Sequence, residues 1–142
     1  MRTFIIVLLV LATVSCSTTR TDASRHEYFS SLIGKSLPLL KELKLCLNPD
    51  DINFSAFRTI ELNYLEQHCH SRKIANVPVN TLVKIQSVKK LWMPISGSSW
   101  YALGEIQIAD TKYEFEYFYG YLDIRRAPWE DESIPLKRAV PK

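Results

Sequence analysis

The sequence WYALGEIQIADTKYEFEYFYGY, residues 100–121, decides the fold class because it repeats with a period of two. Apolar or small residues occupy every second position from Trp100 to Ile108, and aromatic residues do so from Tyr113 to Tyr121. Alternate side chains of a β strand point to the same face, so each run predicts a strand with one buried face. The short spacing between the runs predicts a hairpin with its turn near Asp110-Thr111.

Side-chain size predicts how the two arms of this hairpin pair. Small residues of the first arm are expected opposite rings of the second arm, with Gly104 facing Tyr117. The same register places Glu105 opposite Glu116, a like-charge pair that needs a nearby basic side chain. We expect the aromatic stripe from 113 to 121 to be core. The alternative is an exposed platform that stacks on sugars or on a protein.

Shorter β signals precede the hairpin. The residues from Val77 to Ile85 alternate between apolar and polar, and a change of parity after them predicts a β-bulge near Ser87. Alternating leucines in residues 35–47 predict strand, broken near Leu40-Lys41, with Pro38 at a sheet edge. Residues 52–65 fit helix and strand spacing equally well, so both interpretations stay open.

One helix is predicted at the start of the folded part, from His26 to Ile33, with Gly34 able to end it. Several short strands and few helices predict a mainly β fold, either a small antiparallel barrel or a strongly bent sheet. The run Val77–Ile85 resembles the turn-then-strand entry common in SH3-like barrels, so that form of barrel fits as well. We expect one β-rich domain over residues 26–129 and an irregular tail over residues 130–142.

The N-terminus has the parts of an export signal. Arg2 is followed by an apolar run, Phe4–Val14, which is too short to span a bilayer, and then by Ser15-Cys16. Thr13-Val14-Ser15-Cys16 resembles the lipobox of bacterial lipoproteins, although Thr13 replaces the usual leucine. The resemblance implies that residues 1–15 are a signal peptide and that Cys16 becomes the lipidated N-terminus of the mature chain.

Residues 16–25 are polar after the cysteine, which predicts a flexible tether between lipid and domain. Ser17 follows Cys16 where an aspartate would favour the inner membrane of two-membrane bacteria. By resemblance to such lipoproteins, the expected location is the periplasmic face of the outer membrane, with the lipid as the membrane contact.

Two further cysteines, Cys46 and Cys69, form an even pair in a compartment that is expected to be oxidising, which predicts a disulfide. The alternative is a metal site in the sequence Glu66-Gln67-His68-Cys69-His70. On a strand His68 and His70 would share a face, and a free thiolate would add a ligand for zinc or copper. A disulfide removes that thiolate, so no metal and no cofactor are expected.

No known catalytic signature is present. The chain lacks a Gly-x-Ser-x-Gly elbow, a phosphate-binding glycine loop and a His-Glu-x-x-His motif. Glu114 and Glu116 alternate along one strand, and we expect their face to be solvated rather than to hydrolyse glycosides. The sequence therefore predicts a protein that is not an enzyme.

Charge and tryptophan placement bear on partners. The net charge of +3 is spread over short basic pairs such as Arg125-Arg126, which predicts solvated surface and no nucleic-acid partner. Trp92, Trp100 and Trp129 lie near loops or the tail and are the candidates for partner contact.

The expected function is a lipid-anchored, non-enzymatic binding or assembly module toward an envelope protein or peptidoglycan. Two alternatives remain at this point. One is a periplasmic inhibitor or immunity-type lipoprotein that neutralises a secreted enzyme. The other is a small metal-binding lipoprotein.

Overall fold

The computed structural model describes residues 18–48, 54–61, 69 and 71–133. Eight β strands are formed in these ranges, and alternation of apolar and polar residues underlies the long ones. They are β1 Thr19–Asp22, β2 Ser36–Pro38, β3 Leu43–Leu47, β4 Phe57–Glu61, β5 Lys73–Val77, β6 Leu82–Met93, β7 Gly97–Ile108 and β8 Thr111–Tyr121.

The strands make a single mixed sheet in the order β1-β6-β7-β8-β4-β3-β5, with β2 also on β6. The prediction of a mainly β fold is confirmed. The prediction of an antiparallel barrel, with its SH3-like form, is wrong for two reasons. β4 runs parallel to β8, and within the described residues β5 does not pair with β1 to close the sheet. β4 also resolves the ambiguous segment as strand over residues 57–61.

The centre of the sheet is the antiparallel meander of β6, β7 and β8. The register between β6 and β7 shifts between Ile85 and Ser87, so the predicted bulge is confirmed. β2 pairs only with β6, so Pro38 lies in an edge strand, as predicted.

The hairpin of β7 and β8 has a tighter turn than predicted. Ile108 pairs with Thr111, so the loop is Ala109-Asp110, and Ala109 adopts a φ of 51°. Gly104 consequently faces Phe115 instead of Tyr117. A shift of two residues keeps the side chains from Tyr101 to Ile108 on their predicted faces, because the side-chain period of a strand is also two. A further register shift between Trp100 and Tyr101 pairs Trp100 with Gly120 and Tyr121 with Ser99, so Tyr121 lies on the opposite face from that predicted.

A basic residue relieves the like-charge pair of the hairpin. Glu105 pairs with Glu114 rather than with Glu116. The Nζ atom of Lys112 lies 2.7 Å from Oε1 of Glu105. The neighbouring cation thus offsets the repulsion that the sequence indicated.

The core lies on one face of the meander and is rich in rings. Phe115, Tyr117 and Tyr119 are buried, and Tyr113 is partly buried against them. The core interpretation of the aromatic stripe therefore holds for these four residues, whereas Tyr121 is 39% exposed. The buried hydrophobic residues that form the cluster are Phe29, Leu39, Leu43, Leu45, Val77, Val83, Ile85, Val88, Trp100, Ala102, Ile106, Phe115, Tyr117, Tyr119, Ile124, Ala127 and Trp129.

The helix predicted over His26–Ile33 is wrong, because this segment is a series of turns. The N–H of Phe29 donates to the carbonyl of His26, and the N–H of Leu32 donates to the carbonyl of Phe29. Phe29 is fully buried and contacts the rings of Trp100 and Tyr119. A segment this short gains little from helix formation itself, so the burial of Phe29 determines its conformation.

The folded part begins earlier than the predicted domain start at residue 26. β1, at Thr19–Asp22, pairs with Lys89–Trp92 of β6, so four of the ten residues of the expected tether are edge strand. Lys89 Nζ lies 3.4 Å from Asp22 Oδ2, and the Arg20 guanidinium lies over the Phe54 ring at 5.4 Å. Backbone pairing and these cation contacts order a strand that buries almost no apolar surface.

The predicted disulfide is confirmed: Cys46 of β3 is bonded to Cys69. The two cysteines are 23 residues apart in sequence. Closing a loop of this length contributes about 3 kcal/mol by restricting the unfolded chain.

Candidate functional site

A pocket opens where β4 and β8 stop pairing. The parallel register joins Arg58 to Glu116 and Thr59 to Tyr117, and it ends there. β4 continues to Glu61 and β8 continues to Tyr121, so beyond this point the two strands leave a gap in the sheet. The gap is a pocket of about 210 Å³.

Four of the nine residues that line the pocket are basic. Its residues come from β4, from β8, from the turn before β3 and from the segment after β8. They are Lys41, Arg58, Thr59, Ile60, Glu61, Tyr117, Phe118, Arg125 and Arg126. Glu61 is the single carboxylate among these nine residues. Two further acids lie close by, since Glu116 pairs with Arg58 and Glu130 interacts with Arg126. The lining has four basic side chains and one acidic one, and with the two neighbouring acids included the region still has one more positive than negative group.

Glu61 and Tyr117 form the acidic corner of the pocket. The Tyr117 hydroxyl donates a hydrogen bond of 2.8 Å to Oε1 of Glu61, and Lys41 Nζ lies 3.9 Å from Oε2. Burial, and then the charge of Glu61, raise the pKa of Tyr117 well above its ordinary value. The phenol therefore stays protonated at physiological pH and keeps the Glu61 carboxylate in one orientation.

Arg58 is positioned by a buried carboxylate. Its Nε atom donates to Oε1 of Glu116 at 3.3 Å, and Oε2 of Glu116 accepts the N–H groups of Phe54 at 2.7 Å and Ser55 at 3.1 Å. Glu116 is 0% exposed, so the solvated face expected for Glu114 and Glu116 is wrong for Glu116. The segment at 54–55 covers it, which fixes the Arg58 guanidinium at the pocket wall.

This set of groups suits recognition of an anionic group. Guanidinium groups bind carboxylate or phosphate oxygens through paired N–H donors. Glu61 would accept a hydrogen bond from an ammonium or hydroxyl group on the same ligand.

The three tryptophans predicted to contact a partner differ in exposure. Trp92 is 43% exposed and remains a candidate. Trp100 and Trp129 are each 5% exposed and belong to the core. Trp129 contacts the rings of Tyr117 and Tyr119, and Lys90 lies over the ring of Trp100. Their burial leaves little surface for a partner.

The remaining predicted site residues have other outcomes. Cys16, His68 and His70 lie outside the described residues. Cys46 and Cys69 are joined to each other, so neither offers a thiolate to a metal. Across residues 18–48, 54–61, 69 and 71–133, no three His, Cys, Asp or Glu side chains gather as metal ligands.

Sequence reasoning missed the pocket because its residues are far apart in the chain. In the sequence Arg125-Arg126 is a short basic pair that predicts solvated surface, and Lys41, Arg58 and Glu61 belong to no motif. The parallel pairing of β4 with β8 brings them together. No periodicity within one strand reveals which distant strand lies beside it.

Within the described ranges, no helix has the length and apolarity needed to cross a bilayer. Comparison of the chain with protein families, with curated proteins and with solved structures finds no match.

Proposed function

We propose that the protein is a non-enzymatic binding module, anchored by lipid on Cys16 at the periplasmic face of the outer membrane. In this proposal the pocket between β4 and β8 binds an acidic group of a partner, either an envelope protein or peptidoglycan. The observation that carries the proposal is the basic lining of this pocket, formed by Lys41, Arg58, Arg125 and Arg126.

The size of the pocket limits what enters it. A volume of about 210 Å³ is smaller than the ~300–1,000 Å³ of pockets that enclose a drug-sized molecule. A terminal or side-chain carboxylate with its neighbouring atoms fits such a space. Only that group of a large partner would enter the pocket, and the rest would stay outside. Such a pocket suits a module that binds a polymer or a protein through one acidic group.

The lipid anchor is supported by the sequence at residues 4–16, where an apolar run ends in Ser15-Cys16. A clickable fatty acid fed to cells that express the full chain tests it. The wild type should take the label, and Cys16→Ser should not. An unlabelled wild type would remove the anchor from the proposal.

The pocket is tested with charge-neutralising variants. The probe is peptidoglycan digested to soluble fragments, used as prepared and with its carboxylates amidated. Each lost charge-assisted hydrogen bond contributes about 1.5–3 kcal/mol. Arg125→Gln and Arg126→Gln should therefore weaken binding at least about tenfold, and amidation should have a similar effect. Lys84→Gln removes an exposed cation of β6 outside the pocket and is the matched control.

A protein partner gives a second arm of the same test. The lipidated wild type and the two arginine variants are isolated from membranes after crosslinking. A protein that is retained by the wild type and by Lys84→Gln, but lost from both arginine variants, identifies the partner class. If the probe and every crosslinked protein bind all variants equally, the pocket is not the binding site.

A further inference from the structure

Four apolar side chains are exposed at one end of the sheet. We call this set the β6–β7 tip: Trp92, Ile95, Tyr121 and Leu122. Their exposed fractions are 43%, 96%, 39% and 50%. Residues 91–104, which include the turn between the two strands, contain no charged side chain. A group of exposed apolar side chains around an uncharged turn is typical of an interaction site.

Backbone pairing places the four residues at the same end of the sheet. Trp92 pairs with Ser98 across β6 and β7, and Tyr121 pairs with Ser99 across β7 and β8. The N–H of Leu122 donates to the carbonyl of Ser98 at 2.8 Å. Ile95 lies in the turn that joins β6 to β7. Ser98 and Ser99 are adjacent in β7 and point to opposite faces, so the tip is one end of the sheet with Trp92 on one face and Tyr121 on the other.

The tip also lies next to the point where the chain comes from the proposed lipid. Thr19, the first residue of β1, pairs directly with Trp92. Thr19 follows Cys16 by three positions, and three residues reach at most about 11 Å. A lipid on Cys16 would therefore hold Trp92 within a short distance of the bilayer surface.

The composition of the tip matches the membrane interface. Tryptophan and tyrosine concentrate at the level of the lipid headgroups, because their rings are apolar and their N–H and O–H groups are polar. Ile95 and Leu122 add aliphatic surface, which gains free energy when it leaves water. The four residues thus combine interfacial rings with side chains that favour the acyl boundary.

We propose that the β6–β7 tip rests in the interfacial layer of the membrane that holds the lipid on Cys16. The proposal depends on the lipid anchor proposed above. Lipid and tip together make two membrane contacts beside β1, and two contacts restrict the orientation of the domain where one lipid alone would let it rotate. The pocket would then face its partner in a fixed direction.

Quenching of tryptophan fluorescence by brominated acyl chains tests this contact. The lipidated protein is placed in vesicles with and without bromine on the lipids. Trp92 is the exposed tryptophan, whereas Trp100 and Trp129 are each 5% exposed. Brominated lipid should quench the wild type, and Trp92→Phe should lose most of this quenching. Ile95→Asp should reduce it strongly. Val79→Asp, at an exposed aliphatic residue before β6, should not, and so is the matched control.

The fatty-acid label separates the two proposals. If the wild type carries no label, the anchor fails and the tip proposal falls with it. If the protein is labelled and Trp92 is not quenched, the tip proposal is overturned while the anchor stands. A labelled protein with equal quenching in Ile95→Asp and Val79→Asp also overturns it, as does a protein crosslinked at the tip in place of lipid.

Discussion

Replacing Gly104 by alanine should destabilise the protein through a collision between β6 and β7. Gly104 is buried in the middle of β7, between Ile85 of β6 and Phe115 of β8. A Cβ atom added there would lie 2.6 Å from the backbone oxygen of Lys84 and 3.0 Å from Cζ of Phe115. Both distances are shorter than van der Waals contact, and the nearer obstacle belongs to the backbone.

The size of the effect follows from two opposing contributions. Overpacking of a well-packed core costs about 1–3 kcal/mol. Alanine also restricts the unfolded chain more than glycine does, which offsets about 0.5–1 kcal/mol. The carbonyl of Lys84 belongs to a strand paired on both sides and cannot move independently. We therefore expect a net loss of about 1–2 kcal/mol in the free energy of unfolding.

Urea titration measures this loss, and two further variants locate its cause. With a slope of about 1–3 kcal/mol per molar urea, the midpoint of Gly104→Ala should fall by about 0.5–1 M. Gln107→Val, on the exposed side of the same strand, should stay within about 0.5 kcal/mol of the wild type. In a Phe115→Leu background, Gly104→Ala should keep most of its cost, because the Lys84 oxygen remains.

Two results would refute the reasoning. A neutral or stabilising Gly104→Ala would mean that the three strands do not pack as closely as the contacts at Gly104 indicate. Full relief by Phe115→Leu would mean that the ring, and not the backbone of β6, is the obstacle. The first result would also restore the alternative interpretation of the aromatic stripe as an exposed platform.

Three other substitutions or conditions test the site and its surroundings. Glu116→Ala should cost about 3–5 kcal/mol in a denaturant titration, because it leaves Arg58 and two backbone N–H groups without their acceptor. Burial raises the pKa of Glu130, so stability should fall as pH rises through and above 4.5, and thermal melts of Glu130→Gln should lack this slope. Burial also raises the pKa of Tyr117 and of Tyr119, so both phenols stay neutral in the fold. Stability should then fall as pH rises past about 10, and tyrosinate absorbance should appear together with unfolding.

Patterns within single strands predicted the central hairpin and the bulge of β6. The alternation in residues 100–121 gave both strands of the hairpin and the core face from Tyr113 to Tyr119, and the change of parity at Ser87 located a real bulge. These features depend on local spacing alone. From Tyr101 to Ile108 the register was off by two residues, because small-to-ring matching is satisfied equally well by Gly104 with Phe115 or with Tyr117. The further shift between Trp100 and Tyr101 was not predicted.

Features that depend on distant contacts could not be predicted in the same way. The burial of Trp129 depends on the chain folding back over the rings of β8, and nothing in its neighbouring residues indicates this. The segment from His26 to Ile33 forms turns instead of the expected helix, because its conformation is determined by the burial of Phe29 against distant rings. The pocket depends on parallel pairing between β4 and β8, so its basic residues looked like ordinary surface charge.

The order of strands in the sheet has a consequence for how the chain acquires its structure. A ribosome delivers the N-terminus first, yet β1 and β2 pair with β6, and β4 pairs with β8. β1 and β2 therefore have no partner until β6 has been made, and β4, which can pair with β3 earlier, joins the meander only when β8 follows in the last third of the chain. The meander over residues 82–121 has short connections and can form quickly, and it then serves as the template for the rest. A nascent chain that stops before residue 111 should remain open to proteases, and folding should be completed as a single late event.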